Sequence, residues 1–151
     1  MSPKPSAEPG RAKPDPSQAK RDKPDWDKPD RDKSERLARL KRGFTGELLA
    51  AALLTAKGYR ILARRHRSPY GEVDIIAVRR RRLAFVEVKR RPTLAEAEAA
   101  LTTHQARRIA DAAEHWVASR PFYRQHDMGL DAVLIVPGRW PRHLPNVLAE
   151  I

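Results

Sequence analysis

Asp74, Glu87 and Lys89 are the residues of this chain whose types and spacing could do chemistry. They lie in two neighbouring apolar runs, residues 71–78 and 83–89, both rich in β-branched and apolar side chains and bounded by turn signals. A carboxylate or an ammonium inside such a strand is costly unless it is paired or bound to a cation. Glu87 and Lys89 are two residues apart, so on a strand they project from one face with Cα atoms roughly 6.5–7 Å apart. If the two runs form a hairpin, Asp74 can face them. Two acids and one lysine suffice to hold a hard divalent cation and to activate water against a phosphodiester. In that chemistry Asp74 and Glu87 are the ligands, and Lys89 orients the attacking water and stabilises charge on the phosphorane. The plainer alternative is a structural ion pair of the acids with Lys89 or a nearby arginine.

The elements that must position these residues are readable from periodicity. Residues 35–57 show a helical pattern with Phe44, Leu48, Ala51, Ala52 and Thr55 on one face. Gly43 and Gly46 place the start of its strong part near Thr45, and Gly58 supplies the stop. An acid such as Glu47 near a helix start is stabilised by the helix dipole. A first strand is expected over 59–67, with Ser68-Pro69-Tyr70-Gly71 as the turn after it and residues 79–82 joining the two signature strands. Glu72 shares the face of Asp74 but sits close to the turn. Thr93-Leu94-Ala95-Glu96 reads as a capping box opening a short helix. A longer helix capped by Thr103 runs to Ser119, with Ile109, Ala112, Ala113, Trp116 and Val117 as its apolar stripe. Gln105 lies one turn before Ile109 on that stripe, so its amide should point at the sheet. Residues 130–136 form another strand, and residues 143–149 a short edge strand interrupted by Pro145. The order αβββαββ describes a small α/β sandwich.

Composition narrows the partners. The formal charge is +12. Residues 1–34 hold nine Lys/Arg against seven Asp/Glu, so nearly all of the excess belongs to residues 35–151, which are expected to form the folded domain. A basic folded domain points to a polyanion, most simply nucleic acid. The arginine clusters at 64–67, 79–82, 90–91 and 107–108 supply phosphate contacts in that reading, Arg90 and Arg91 foremost because they follow the signature strand, then Arg79, Arg80, Arg107 and Arg108. Residues 1–34 are low in complexity, with Lys-Pro-Asp repeated at 13–15, 23–25 and 28–30, and are expected to be a disordered extension. The chain has no cysteine, no apolar run of about 18 residues and no signal-peptide core, which together predict a soluble cytoplasmic protein without a membrane partner. The five histidines show no metal-binding spacing, and neither a glycine-rich phosphate loop nor a nucleophile elbow is present.

Taken in order, Gly43, Gly46-Glu47, Gly58-Tyr59, Gly71-Glu72-Val73-Asp74, Phe85-Val86-Glu87-Val88-Lys89-Arg90-Arg91, Ala112-Ala113, Asp131 and His143 resemble the YraN family of small bacterial proteins. That family is similar to archaeal Holliday-junction resolvases within the PD-(D/E)XK nuclease superfamily. The resemblance covers about residues 42–149. It implies a restriction-endonuclease-like three-layer sandwich around a mixed central sheet. It implies Mg²⁺ or Mn²⁺ as cofactor, held by Asp74, Glu87, the backbone carbonyl of Val88 and Glu47 from the first helix. DNA is the implied partner, with RNA as the other acceptable polyanion, and chemistry on two strands favours a homodimer. Two positions depart from the family pattern. Gln105 stands where lysine is common, a position counted here with the catalytic set because other branches of the superfamily place glutamine there. Gly129-Leu130 stands where Arg-Phe is usual, which makes Asp131 structural, and His143 is expected to make a structural hydrogen bond.

Three functions remain open at this level. One is a Mg²⁺-dependent endonuclease-like hydrolase of DNA phosphodiesters. The second is a nucleic-acid-binding protein on the same fold with weak or lost catalysis. The third is a basic accessory protein for RNA or a protein partner, whose acids are purely structural.

Overall fold

In the computed structural model, which describes residues 31–151, five strands form one mixed sheet in the order β1-β2-β3-β4-β5. Helix α1 spans Arg31–Ala56, followed by β1 (Arg60–Arg67), β2 (Glu72–Arg79), β3 (Arg82–Arg90), α2 (Leu94–Ala99), α3 (Thr103–Ala118), β4 (Asp127–Ile135) and β5 (Arg142–Leu144). The extension expected over 1–34 falls, except for its last four residues, outside the described residues. Residues 37–151 make up one contact unit, and that unit carries the sheet. β1, β2 and β3 run antiparallel in sequence, β3 and β4 are parallel, and β5 returns antiparallel on β4. The parallel step requires a crossover, which α2 and α3 supply.

Each face of the sheet is covered, giving an α/β fold of three layers. Ile75, Ala77, Ala84, Val86, Val133 and Ile135 pack with Ala50 and Leu54 of α1 and with Tyr59. Ile76, Val78, Leu83 and Phe85 pack with Ile109, Ala112, Ala113 and Trp116 of α3. The two sets alternate along β3 and over 75–78 of β2, as a two-residue period demands when both faces are buried. Phe85 meets Trp116 edge to face at 5.8 Å between centroids. Fully burying a side chain of this size contributes about 1.5–3 kcal/mol.

Several local expectations are corrected. α1 is one continuous helix through Gly43 and Gly46 rather than one that becomes strong at Thr45. It turns Gly46, Glu47, Ala50 and Leu54 to the sheet, whereas Leu48 is 43% exposed and Ala52 and Thr55 are exposed; the side chain of Phe44 lies outside the described residues. The run Leu48–Leu54 is apolar nearly all round, so its pattern alone does not select a face. The sheet does, through the packing of Ala50 and Leu54 with Ile75, Val86, Val133 and Ile135. The cap of α3 is Thr102, whose hydroxyl accepts the Gln105 N–H at 3.3 Å, with Thr103 already helical. β5 stops at Leu144. Pro145 donates no hydrogen bond to a ladder, Asn146 adopts a left-handed φ of 59°, and Val147–Ala149 form a 3₁₀ turn.

Candidate functional site

The hairpin of β2 and β3 sets the site. Ile75 pairs with Val86 at the last rung of the ladder, and Asp74 on β2 and Glu87 on β3 stand next to that rung. Val86 points toward α1, so by alternation Glu87 points to the α3 side and Lys89 follows on the same face. On β2 the alternation breaks, since Val73 packs on the α3 side and Ile75 on the α1 side, and Asp74 between them lines both a cavity shared with α1 and one shared with α3. Asp74 Oδ2 accepts the backbone N–H of Val88 at 2.7 Å. Glu87 Oε1 accepts Lys89 Nζ at 2.6 Å and also the Gln105 amide, which α3 delivers from across the sheet. The second oxygen of each carboxylate, Asp74 Oδ1 and Glu87 Oε2, takes no hydrogen bond among the described residues.

Both carboxylates line two cavities. One, of about 650 Å³, is shared with Arg39, Glu47, Val88, Arg90, Arg91 and Pro137. The other, of about 460 Å³, is shared with Glu72, Thr102, His104, Gln105 and Arg108. The acids therefore stand on a saddle open on two sides. Burial, then the charge of Glu87, raise the Asp74 carboxyl to about 7; the Val88 N–H opposes this, and Glu47 adds to the rise.

The shift has a consequence for stability. Between its unfolded value of 3.8 and about 7, Asp74 holds a proton in the folded chain that it loses in the unfolded one. Its contribution is thus fully present below pH 3.8 and is lost as pH rises to about 7. Asp74→Asn keeps an acceptor for Val88 without the charge. In EDTA it should raise the melting temperature at pH 8 and have little effect near pH 4. An equal effect at both pH values would mean that Asp74 is not strained by burial.

Glu47 reaches the first cavity from the middle of α1, so the helix dipole does not explain it. Its Oε2 is 2.7 Å from Arg65 Nε and 4.0 Å from Arg64 Nη2. Arg65 adopts a left-handed backbone with φ 50°, an uncommon conformation for a non-glycine residue. That partner is not visible in the sequence, because a left-handed arginine inside a strand has no periodic signature. Glu72 pairs with Arg67 at 3.3 Å.

The arginines divide by position. Arg90 and Arg91 line the first cavity, and Arg108 lines the second, where its Nε donates to the Tyr70 carbonyl at 3.3 Å. Arg107 is exposed on α3. Arg79 and Arg80 lie at the opposite end of the hairpin, about 17 Å or more along β2 from Asp74. Arg79 is engaged there, donating to the Lys57 carbonyl at 3.0 Å and lying over the Tyr59 ring. Asp131 is fully buried on the α1 side of the sheet, away from the two acids, and binds Arg82 at 2.6 Å, His143 at 2.8 Å and the Asn146 N–H at 2.9 Å.

The oxygen-only donor set suits Mg²⁺ or Mn²⁺. Among the described residues no group of three or more His, Cys, Asp or Glu is placed to hold a metal ion. Mg²⁺ does not need such a cage, since it takes one or two carboxylates and fills its remaining positions with water and phosphate.

The family model described as "Uncharacterised protein family UPF0102" matches residues 46–135. A UPF0102 protein of Rhodopseudomonas palustris (strain BisB5) is 51% identical over 111 residues, covering 74% of this chain and 85% of the relative. UPF0102 protein bll0669 of Bradyrhizobium diazoefficiens is 50% identical over 110 residues, 73% of this chain and 83% of the relative. A UPF0102 protein of Nitrobacter winogradskyi is 52% identical over 109 residues, 72% and 92% of the two chains. The match includes the β2–β3 hairpin and α3, and so every residue of the carboxylate cluster.

Proposed function

The chain belongs to the uncharacterised protein family UPF0102, the YraN family that its sequence resembles, and from that premise we propose that it binds DNA and hydrolyses its phosphodiesters at the Asp74–Glu87–Lys89 cluster with Mg²⁺ or Mn²⁺. One observation carries the reading. Two adjacent carboxylates, each with one oxygen unengaged among the described residues, line a cavity whose rim includes Arg39, Arg90 and Arg91. Acids inside and arginines around them suit a cation and a phosphate at once.

Asp74 Oδ1, Glu87 Oε2, the Val88 carbonyl and Glu47 are the groups that would hold the cation, and Glu47 would share its carboxylate with Arg65. The cation, when bound, supplies a Lewis acid that offsets phosphate charge and makes water a better nucleophile. Lys89, with its side chain only 13% exposed, fixes Glu87 and presents an ammonium toward the developing charge of the phosphorane. Gln105 holds Glu87 from the other side, so this carboxylate cannot swing away when phosphate approaches. In the hydrolysis a water oxygen bonds to phosphorus, one phosphorus–oxygen ester bond breaks, and the leaving oxygen takes a proton. The test incubates the purified chain with linear, circular and branched DNA, with and without Mg²⁺ or Mn²⁺. Cation-dependent cleavage supports the reading, and its absence on every substrate removes it.

The second reading is a nucleic-acid-binding protein on this fold without catalysis. It draws on the absence of a three-ligand metal cluster among the described residues. Both readings place phosphate on Arg90 and Arg91. Replacing both with Ala should therefore weaken DNA binding and reduce the slope of log K against log salt by roughly two, since each lost contact removes about 0.9 of slope on duplex DNA. An unchanged slope would assign these arginines to solvated surface.

A further inference from the structure

Trp140 is 93% exposed, although tryptophan is ordinarily one of the more buried residues. Its place in the fold is specific. β3 and β4 are parallel, so they end together, with Arg90 beside Ile135 and the Arg91 N–H on the Ile135 carbonyl at 3.1 Å. The loop leaving β4 begins at Pro137, which lines the cavity of the two carboxylates. A tight turn follows, with the Arg139 N–H on the Val136 carbonyl at 3.1 Å and Gly138 at φ 75°. Proline and a left-handed glycine are the central residues that a type II turn selects. Trp140 comes next, and Pro141 restricts its backbone to extended conformations. The ring is therefore presented from a stiff support, three residues and at most about 10 Å along the chain from the cavity wall. Its neighbours in sequence include the exposed Arg139 and Arg142.

An exposed aromatic face on a stiff turn, three residues along the chain from the wall of the carboxylate cavity and flanked in sequence by Arg139 and by Arg142, which pairs with Glu98 at 3.8 Å, suits an unpaired base. Each stacked base adds binding that does not depend on sequence, and neighbouring arginines hold the backbone. A base inside an intact duplex has no free face to offer. We propose that Trp140 is a base-stacking platform and that the substrate carries at least one unpaired base within a few nucleotides of the scissile phosphate, as a single strand, an overhang or a branch does. The proposal rests on the reading of the carboxylate cluster as a phosphodiester site, and it names the class of substrate that site receives.

The experiment is a binding measurement in EDTA, so cleavage does not enter. The full chain is titrated with a single-stranded oligothymidylate and with a blunt duplex of equal length, reading tryptophan fluorescence and affinity. Trp140→Ala should weaken single-strand binding about tenfold or more and leave blunt-duplex binding within about twofold. Trp140→Phe, which keeps an aromatic face, should retain most of the affinity while losing the fluorescence quench seen in the wild type. Trp116 is buried and Trp26 is common to all variants, so that difference isolates position 140. Equal losses on both ligands, no loss on either, or no binding of the oligothymidylate by the wild type would overturn the platform. So would a wild-type dimer that Trp140→Ala dissociates, which would assign the ring to a second copy of the chain. Cleavage of DNA with Mg²⁺ is assayed separately, so loss of the platform and loss of the nuclease reading give different results.

Discussion

Asp74→Asn or Glu87→Gln should lower cation-supported DNA cleavage by orders of magnitude while leaving DNA affinity unchanged or tighter. Each substitution keeps the shape of the side chain and its hydrogen-bonding reach. Asparagine can still accept from Val88, and glutamine can still accept from Lys89. What disappears is one negative charge from a site that needs it to hold Mg²⁺ or Mn²⁺. Phosphate repulsion falls at the same time, hence the retained or improved affinity. Lys89→Ala should also lose cleavage yet still bind the cation, because neither unengaged carboxylate oxygen depends on it. The check is single-turnover cleavage alongside binding isotherms for wild type and variants. A Glu87→Gln protein that cleaves as fast as wild type would sink the mechanism. Wild-type binding without cleavage in any divalent ion would give the lead to the catalysis-free reading.

Arg82→Ala should be the most destabilising of the surface-proximal substitutions. Arg82 binds Asp131 at 2.6 Å, the Tyr59 hydroxyl at 3.2 Å and Asn146 at 3.2 Å. Asp131 has no exposed surface, and its other oxygen faces His143 Nε2 at 2.8 Å. Removing the guanidinium leaves a fully buried carboxylate without its principal cation, a change that costs about 3–5 kcal/mol. For a unit of this size that corresponds to a fall of roughly 10–20 °C in melting temperature. Arg82→Met combined with Asp131→Leu should recover part of the loss, because both charges then leave together. A single variant melting within a few degrees of wild type would show that Asp131 is satisfied without Arg82. Gly129 belongs to this arrangement, since a Cβ there would collide with the Arg82 guanidinium. Gly129→Ala would therefore oblige the Arg82 guanidinium to shift from its place beside Asp131.

Much of this was legible in the amino-acid sequence because it is local. A two-residue period placed Glu87 and Lys89 on one face, and the short hairpin fixed the register up to Ile75 opposite Val86, next to which Asp74 stands. The α3 stripe from Ile109 to Trp116 is amphipathic enough to select its own buried face, which also aimed Gln105 at the sheet. Thr93 caps α2 through the Glu96 N–H, as its spacing required. In each case the residues that decide the outcome lie within a few positions of one another.

Tertiary structure decided the rest. The buried face of α1 could not be read from a run that is apolar nearly all round; it follows from the packing of Ala50 and Leu54 with Ile75, Val86 and Ile135, residues far apart in the chain. The partner of Glu47 depends on a left-handed Arg65 in another element. Arg82 reaches Asp131 only because Gly129, on a different strand, leaves the space open. Pro137, three residues before Trp140, lines the carboxylate cavity together with Arg90 and Arg91 because β3 and β4 run parallel and end together. Periodicity and capping are short-range steric and hydrogen-bonding effects, so the sequence alone determined the first four strands, the order of the helices and strands and the hairpin that carries Glu87 and Lys89. Packing between distant segments depends on how whole surfaces fit, and that fit set the surroundings of the site: which arginines border the acids, which acid is merely buried, and what stands at the cavity's edge.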